Sequence, residues 1–400
     1  MKRKLIIAGG VLFILVIVAL ILLQPLLSIA TGYSAHRLCS CYFVEGRSVD
    51  EILENDLGHG PQSMATSTIN EANSEAVSTF WGMAKQRAVY RGNLGCILIH
   101  GEDDFTGTLS LPDVTPHIDP LISSTDSLEF DVQALNSALK RALQSGKSSR
   151  AVVVVYRNAL VGEGYADGFD MDTPLLGWSM TKSITNAMVG ILIRQGKLSL
   201  DQDKLWPAWD DERANIQLRD LMQMQSGLKF DENYATLSDA TEMLYRSEDM
   251  AKRAAEMPLE HEIGNYWYYS SGTTNIISGI VRRQFDKQSD YLAFPHKELF
   301  RKIGMYSAVI EPDESGTFIG SSYCYSTPRD WAKFGLLYLN RGNWMGEQIL
   351  DSTWVDFSRT PAAHSGGIYG GQFWLNADQN NFPDVPADLF FCSGFEGQYV

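Results

Sequence analysis

Residues 5–23, LIIAGGVLFILVIVALILL, carry no charged side chain and are almost wholly apolar. At about 1.5 Å per residue such a run makes ~28 Å of helix, close to the hydrocarbon thickness of a bilayer. In lipid it can satisfy its backbone only as a helix. Lys2, Arg3 and Lys4 precede it, and a basic N-terminal flank stays in the cytoplasm while the remainder is exported. The expectation is a membrane anchor or signal segment over 1–27, an N-terminal transmembrane helix with the body of the chain on the periplasmic or extracellular side. The alternative is a secreted or periplasmic protein after signal cleavage. Ser28-Ile29-Ala30 offers a small-x-small site for that, although the run exceeds the usual apolar region of a signal peptide.

Behind this segment, a chain of 400 residues with 44% hydrophobic and 20% charged residues is long and apolar enough for a large core, so disorder along its whole length is excluded. The formal net charge of -15 leaves no broad basic face for a phosphate backbone, and nucleic acid is not an expected partner. Five cysteines are too few for a disulfide scaffold; they read as small buried hydrophobes with room for one disulfide. The seven histidines are scattered. His261, between Glu260 and Glu262, does not make an H-E-x-x-H zinc site. A Walker loop and a G-x-S-x-G elbow are also missing, and no cofactor or metal is expected.

Residues 31–75 give no clear pattern, 76–90 suggest a helix, and Gly95–His100 reads as a short strand. The Thr-, Pro-, Asp- and Ser-rich stretch 101–130 reads as a linker. This divides the chain into an N-terminal extension over 28–125, a cap or membrane-proximal element, and a main domain over 126–400. In that domain Phe130–Leu143 has helical spacing, and Ala151–Tyr156 is a β-branched strand. Its four valines suggest burial on both faces. Arg157-Asn158-Ala159 turns it into a second strand over Leu160–Ala166. Helices are expected over 179–195, with Gly196 as its stop, and over 215–225, 238–256 and 272–285. Another opens at Thr327-Pro328-Arg329-Asp330, a capping box with proline in the first turn.

Three stretches carry candidate chemistry. The first is Ser179-Met180-Thr181-Lys182. Three residues apart, the serine and lysine share a helical face. A helix start offers unpaired N–H groups and a positive dipole end, which suit an attacking oxygen and the oxyanion it creates. Lys182 is followed by the apolar run from Ile184 to Leu192, where desolvation would free its lone pair as a base. An N-capping serine with a snorkelling lysine gives the same string. The second is Tyr269-Ser270-Ser271, a phenol and a hydroxyl that can project from one loop. The phenol is expected to be lowered by the lysine and to relay protons; an aromatic core cluster is the plainer reading of Tyr266–Tyr269. The third is Gly394-Phe395-Glu396-Gly397-Gln398, whose glycines let a substrate approach the backbone.

Taken in this order, the three stretches resemble the motifs of serine β-lactamase-related hydrolases. The resemblance is to the class C-like branch of the penicillin-recognising fold, which includes esterases, D-alanyl-D-alanine peptidases and 6-aminohexanoate-dimer hydrolases. It covers about 130–400. Gln225-Ser226-Gly227-Leu228 and Ser326–Asp330 resemble further segments of that branch. The implied fold is α/β (α+β) of the beta-lactamase/transpeptidase-like type: an antiparallel sheet flanked by helices, plus an all-helical subdomain. The implied activity is acyl transfer on a small-molecule or peptide-like ester or amide. Ser179 is the nucleophile, Lys182 the base and Tyr269 the proton relay. Ser271, Phe395, Gly397 and Gln398 contact the substrate, and the backbone N–H groups of Ser179 and Gln398 hold the oxyanion.

Phe395 stands where the branch has lysine or histidine, and Ser271 where it commonly has asparagine. The first change removes the cation expected to hold a substrate carboxylate and points away from penicillins, toward a neutral substrate. His364-Ser365-Gly366 is a displaced match to the third motif and ranks below Phe395-Glu396-Gly397. The family continues beyond its third motif, so a sequence ending at Val400 is expected to be a fragment. The alternative to an enzyme is a non-catalytic penicillin-binding-like module that recognises a cell-wall peptide or a partner protein.

Overall fold

The structure, a computed structural model, describes residues 2–103, 105–111, 121, 130–144 and 149–400, with the backbone alone over 2–21. Most of the expected linker over 101–130, and the expected boundary between 125 and 126, lie outside the described residues.

Helix α1 (Lys2–Phe43) runs without a break from the apolar segment into the body of the protein. Among the described residues, no helix is long and apolar enough to cross a membrane. That corrects the expected transmembrane anchor over 1–27, the membrane as a partner and the membrane-anchored location. The physical reason lies in the second half of α1. It carries Ser28, Thr31, Ser34, His36 and Arg37, all buried by protein. The Thr31 hydroxyl donates to the Ala84 carbonyl at 2.6 Å, and His36 Nε2 lies 2.9 Å from Glu311. The candidate processing site Ser28–Ala30 is buried within this helix.

After α2 (Val49–Asn55), four strands form one antiparallel sheet in sequence order: β1 (Thr66–Asn70), β2 (Glu75–Phe80), β3 (Met83–Tyr90) and β4 (Cys96–Ile99). The helix expected over 76–90 is therefore a hairpin. Its sequence alternates with period two: Ala76, Ser78 and Phe80 are buried while Val77 and Thr79 are less so. Trp81 and Gly82 both have positive φ, as a two-residue hairpin loop requires. Helix α1 lies on this sheet, and the Cys39–Cys96 disulfide joins α1 to β4. Cys41, Cys324 and Cys392 are free and buried.

A buried ion cluster joins this extension to the main domain. Asp56 accepts from Arg37 at 2.7 Å, Arg47 at 2.6 Å and Arg150 at 2.9 Å, and Glu45 lies 3.0 Å from Arg47. Burial alone would raise the Asp56 carboxyl; the three guanidinium groups outweigh it and hold the group well below the usual carboxylate range.

In the main domain α3 (Val132–Ala142) packs on the hairpin of β5 (Ala151–Tyr156) and β6 (Ala159–Tyr165). A Cβ on Gly162 would meet Leu139 at 3.0 Å and Leu135 at 3.2 Å. Arg157 and Asn158 turn the hairpin with positive φ. Val152 to Val155 are only half-buried, so the expectation of a strand buried on both faces is not met. Strand β7 (Leu175–Leu176) leads into α4 (Thr181–Arg194), buried from Thr181 to Leu192 and followed by Gly196 at φ 70. Helices α5 (Leu218–Met222), α6 (Asp239–Arg246), α7 (Met250–Ala255), α8 (Ser271–Arg282) and α9 (Gln288–Pro295) make the helix-rich middle. The single helix expected over 238–256 is split because the Asp249 carboxylate caps the second part at Lys252 N, 2.8 Å away.

Strands β8 (Val309–Ile310) and β9 (Cys324–Ser326) complete a three-stranded antiparallel sheet with β7. Thr327 caps α10 (Pro328–Leu339) with Pro328 in its first turn. The hairpin β10 (Asn343–Trp344) and β11 (Glu347–Gln348), α11 (Ser352–Arg359), and the pairs β12 (Trp374–Leu375) with β13 (Phe390–Phe391) and β14 (Ser393–Gly394) with β15 (Gln398–Tyr399) follow. Asn186 locks α4 in place. Its amide donates to Gly371 O at 2.6 Å and Ser358 Oγ at 2.9 Å, and its oxygen accepts from Tyr338 and Trp354 at 2.5 and 2.9 Å.

A disulfide that closes a long loop restricts the unfolded chain. Replacing Cys39 and Cys96 together by alanine is expected to lower the unfolding free energy by about 2–5 kcal/mol in urea titration. A double variant as stable as the parent would show that packing of α1, not the covalent link, secures the extension.

Candidate active site

Ser179 sits on a short 3-10 turn, Trp178–Met180, that feeds directly into α4. The turn is fixed from both sides. Gly177 N donates to Cys324 O at 2.8 Å, and a Cβ on Gly177 would strike the Trp331 ring at 2.4 Å. Trp178 has φ 46, an unfavourable conformation for a bulky residue. Its buried ring holds it there, against Tyr33 (6.5 Å), Tyr323 (5.8 Å) and Phe395 (5.7 Å) between centroids, with the Arg37 guanidinium 5.8 Å from its ring. Helix α1 thus supplies part of the bed beneath the turn that carries Ser179.

Lys182, one turn along, is 1% exposed. Its ammonium donates to three oxygens: Ser179 Oγ at 3.1 Å, Ser271 Oγ at 2.9 Å and the Ser321 carbonyl at 3.0 Å. Tyr269 lies in the loop before α8, with its ring centroid 4.7 Å from Lys182 Nζ. Tyr369 and Trp374 pack on the Tyr269 ring at 5.7 and 5.2 Å. Ser271 opens α8, capped by Ser270, whose Oγ accepts from Thr273 N at 3.1 Å.

The third motif approaches the same turn. A Cβ on Gly394 would lie 2.2 Å from Gly177 O, so only glycine admits this backbone contact. Phe395 packs edge-on against Trp178 with 55% of the residue's surface exposed, and Gly397 has φ 78. Gln398 follows in β15. Ser179, Lys182, Tyr269 and Ser271 therefore meet, and Phe395 stands at their edge. His364-Ser365-Gly366 forms a separate turn, in which Ser365 Oγ donates to Ala362 O at 2.7 Å.

Two residues of the site escape sequence reasoning. Glu232 accepts from Ser271 Oγ at 2.5 Å, Ser271 N at 2.8 Å and Tyr234 OH at 2.7 Å. Tyr234 OH is also 2.9 Å from Ser271 Oγ, while 42% of the residue's surface stays open. Both lie in Phe230-Asp231-Glu232-Asn233-Tyr234, a loop with no motif or periodicity to mark it. Among the described residues, no group of three or more His, Cys, Asp or Glu side chains is arranged to hold a metal ion.

Residues 135–400 match the family described as Beta-lactamase. Solved structures with a similar fold include one titled "Putative 6-aminohexanoate-dimer hydrolase from Bacillus anthracis", with TM-score 0.55 and 21% identity over 72% of this chain and 78% of that one. Another, titled "putative beta-lactamase from Bacteroides dorei DSM 17855", has TM-score 0.55 and 17% identity over 68% of this chain and 86% of that one. A penicillin-binding protein homolog from Caulobacter crescentus has TM-score 0.52 and 14% identity over 68% of this chain and 87% of that one. At these identities the likeness is one of fold. No curated protein matches the chain.

The electrostatics separate the two proton-carrying groups. Burial pulls Lys182 down from 10.5 to about 8, against an opposing pull from Glu232. The Tyr269 phenol, expected to be lowered, is instead pushed well above its ordinary value by burial and by Glu232, with Ser179 acting the other way. The amine is therefore the group that can lose its proton near neutrality, while the phenol stays a donor.

Between about pH 8 and 10.5 the folded state binds fewer protons at Lys182 than the unfolded chain does, so this group makes stability rise with pH across that window. Lys182→Met is expected to be more stable than the parent at pH 7, by a margin that shrinks by roughly 3 kcal/mol by pH 10.5. A margin independent of pH in paired urea titrations would mean that Lys182 is not desolvated.

Proposed function

Because the chain belongs to the beta-lactamase family, whose proteins are hydrolase-related and share the α/β beta-lactamase/transpeptidase-like fold, we propose that it is a serine hydrolase working through an acyl-enzyme on an ester or amide. The observation that carries this reading is the buried Lys182 amine 3.1 Å from the Ser179 hydroxyl. In water neither group is reactive at neutral pH. Together, the desolvated amine accepts the hydroxyl proton as the oxygen attacks a carbonyl.

Charge then develops on the carbonyl oxygen. The backbone N–H groups of Ser179 and Gln398 are the donors assigned to it, each worth roughly 3–4 kcal/mol in a site of this kind. Gly394 supports that role, since its contact with Gly177 draws the Phe395–Gln398 turn toward the nucleophile. Tyr269, its ring beside the Lys182 amine and its hydroxyl held as a phenol, passes a proton to the leaving group and is restored by Lys182. Water then releases the acyl group by the reverse path.

Phe395 supports a neutral substrate. It offers an exposed aromatic face, with the Tyr234 ring 6.3 Å away, where the family has a cation. The Bacillus anthracis protein is named for a 6-aminohexanoate dimer; for this chain the reading stays with uncharged acyl esters and amides.

A fluorophosphonate probe is expected to label the protein covalently and to lose that labelling in folded Ser179→Ala. Labelling that survives there would move the nucleophile elsewhere, and a parent that is never labelled would favour the binding-module alternative. Phe395→Lys is expected to improve kcat/KM for a carboxylate-bearing cephalosporin about tenfold relative to a p-nitrophenyl ester, the worth of one charge-assisted hydrogen bond. An unchanged ratio would remove Phe395 from substrate selection.

A further inference from the structure

Two hydroxyls lie against the Lys182 amine, Ser179 Oγ at 3.1 Å and Ser271 Oγ at 2.9 Å. A neutral amine has one lone pair, and either hydroxyl could donate to it. If Ser271 does, the amine is occupied and Ser179 is left unactivated. The third neighbour, the Ser321 carbonyl, only accepts and does not compete.

Glu232 breaks this tie. The Ser271 hydroxyl has one proton, and the Glu232 carboxylate takes it at 2.5 Å, the length of a charge-assisted hydrogen bond. The Ser271 oxygen can then only accept from Lys182. The carboxylate is itself fixed by Ser271 N at 2.8 Å and Tyr234 OH at 2.7 Å. We infer that Glu232 is a positioning residue of the acyl-transfer centre, which draws the Ser271 proton away from Lys182 and so reserves the amine's lone pair for Ser179. This rests on the assignment of Ser179 and Lys182 as nucleophile and base.

The ionisable groups around the pair come from several elements: Glu232 and Tyr234 from the loop before α6, Tyr269 from the loop before α8, and Tyr369 from the turn before β12. Burial keeps all three phenols protonated, with Glu232 adding to the effect at each. Of the groups facing Glu232, Lys182 is the one whose charge changes near neutral pH.

The test is the pH–rate profile of p-nitrophenyl ester hydrolysis by the full chain and by Glu232→Gln, Glu232→Asp, Ser271→Ala and the Glu232→Gln/Ser271→Ala double variant. In Glu232→Gln the plateau of kcat should fall about tenfold, the worth of one hydrogen bond, with KM within twofold. Its ascending limb should move to lower pH by about one unit, because an anion that favoured the ammonium is gone. Glu232→Asp keeps the charge and should restore the limb. In the Ser271→Ala background Glu232→Gln should cost no further plateau rate, since the competing hydroxyl is absent. A limb that stays in place, or plateau losses that add, overturns the inference.

Carbon-13 NMR of lysine Cε gives a readout that needs no turnover. The Lys182 resonance, assigned by its loss in Lys182→Arg, should titrate at lower pH in Glu232→Gln, and an unchanged midpoint also overturns the inference. Loss of probe labelling in Ser179→Ala tests the hydrolase reading separately, so failure of one is not mistaken for failure of the other.

Discussion

Taking an ammonium out of water costs several kcal/mol unless its protons find partners. Around Lys182 the fold supplies them from three places: Ser179 at the entry to α4, Ser271 at the start of α8, and the Ser321 carbonyl ahead of β9. Bringing these together fixes how α4, α8 and the short central sheet sit against one another. The polar network of Asn186 and the glycine contacts of Gly177 and Gly394 serve the same end by keeping α4 and its entry turn from shifting. The amine is stable enough to stay buried and strained enough to shed a proton near neutrality.

The extension contributes from behind. Tyr33, His36 and Arg37 of α1 reach the aromatic layer of Trp178 and Tyr323, one residue away from Ser179. Arg37 is also part of the ion cluster that includes Arg150 of the main domain. Removing one partner of such a cluster strands buried charge, which is strongly destabilising. Residues of the extension between Ile29 and Leu98 are thus packed into the same core as the turn that carries Ser179.

What sequence could reveal followed how local each signal was. The hairpin over 151–165, the buried helix after Lys182 with its Gly196 stop, and the Thr327-Pro328 helix start rest on neighbours in the chain and are found where the pattern points. Over 76–90 the residues Lys85, Gln86 and Arg87 suit a helix surface equally well, while the period-two burial of Ala76, Ser78 and Phe80 marks the hairpin that forms. The apolar N-terminus suggested a bilayer because composition cannot show that the same helix continues into a protein core. Glu232 was invisible for a further reason: its place beside Ser271 is made entirely by tertiary structure, 39 residues away along the chain.

The unbroken course of α1 has a practical side for anyone reshaping this protein. A cut after Ala30, tempting from the small residues there, would open a helix in mid-span. It would free the amide groups of the next turn inside a dry interior, right beside the Thr31–Ala84 tie and the close approach of Gly32 to Tyr245. Shortened forms should therefore keep several turns ahead of that point, or supply a new polar cap for the exposed helix start.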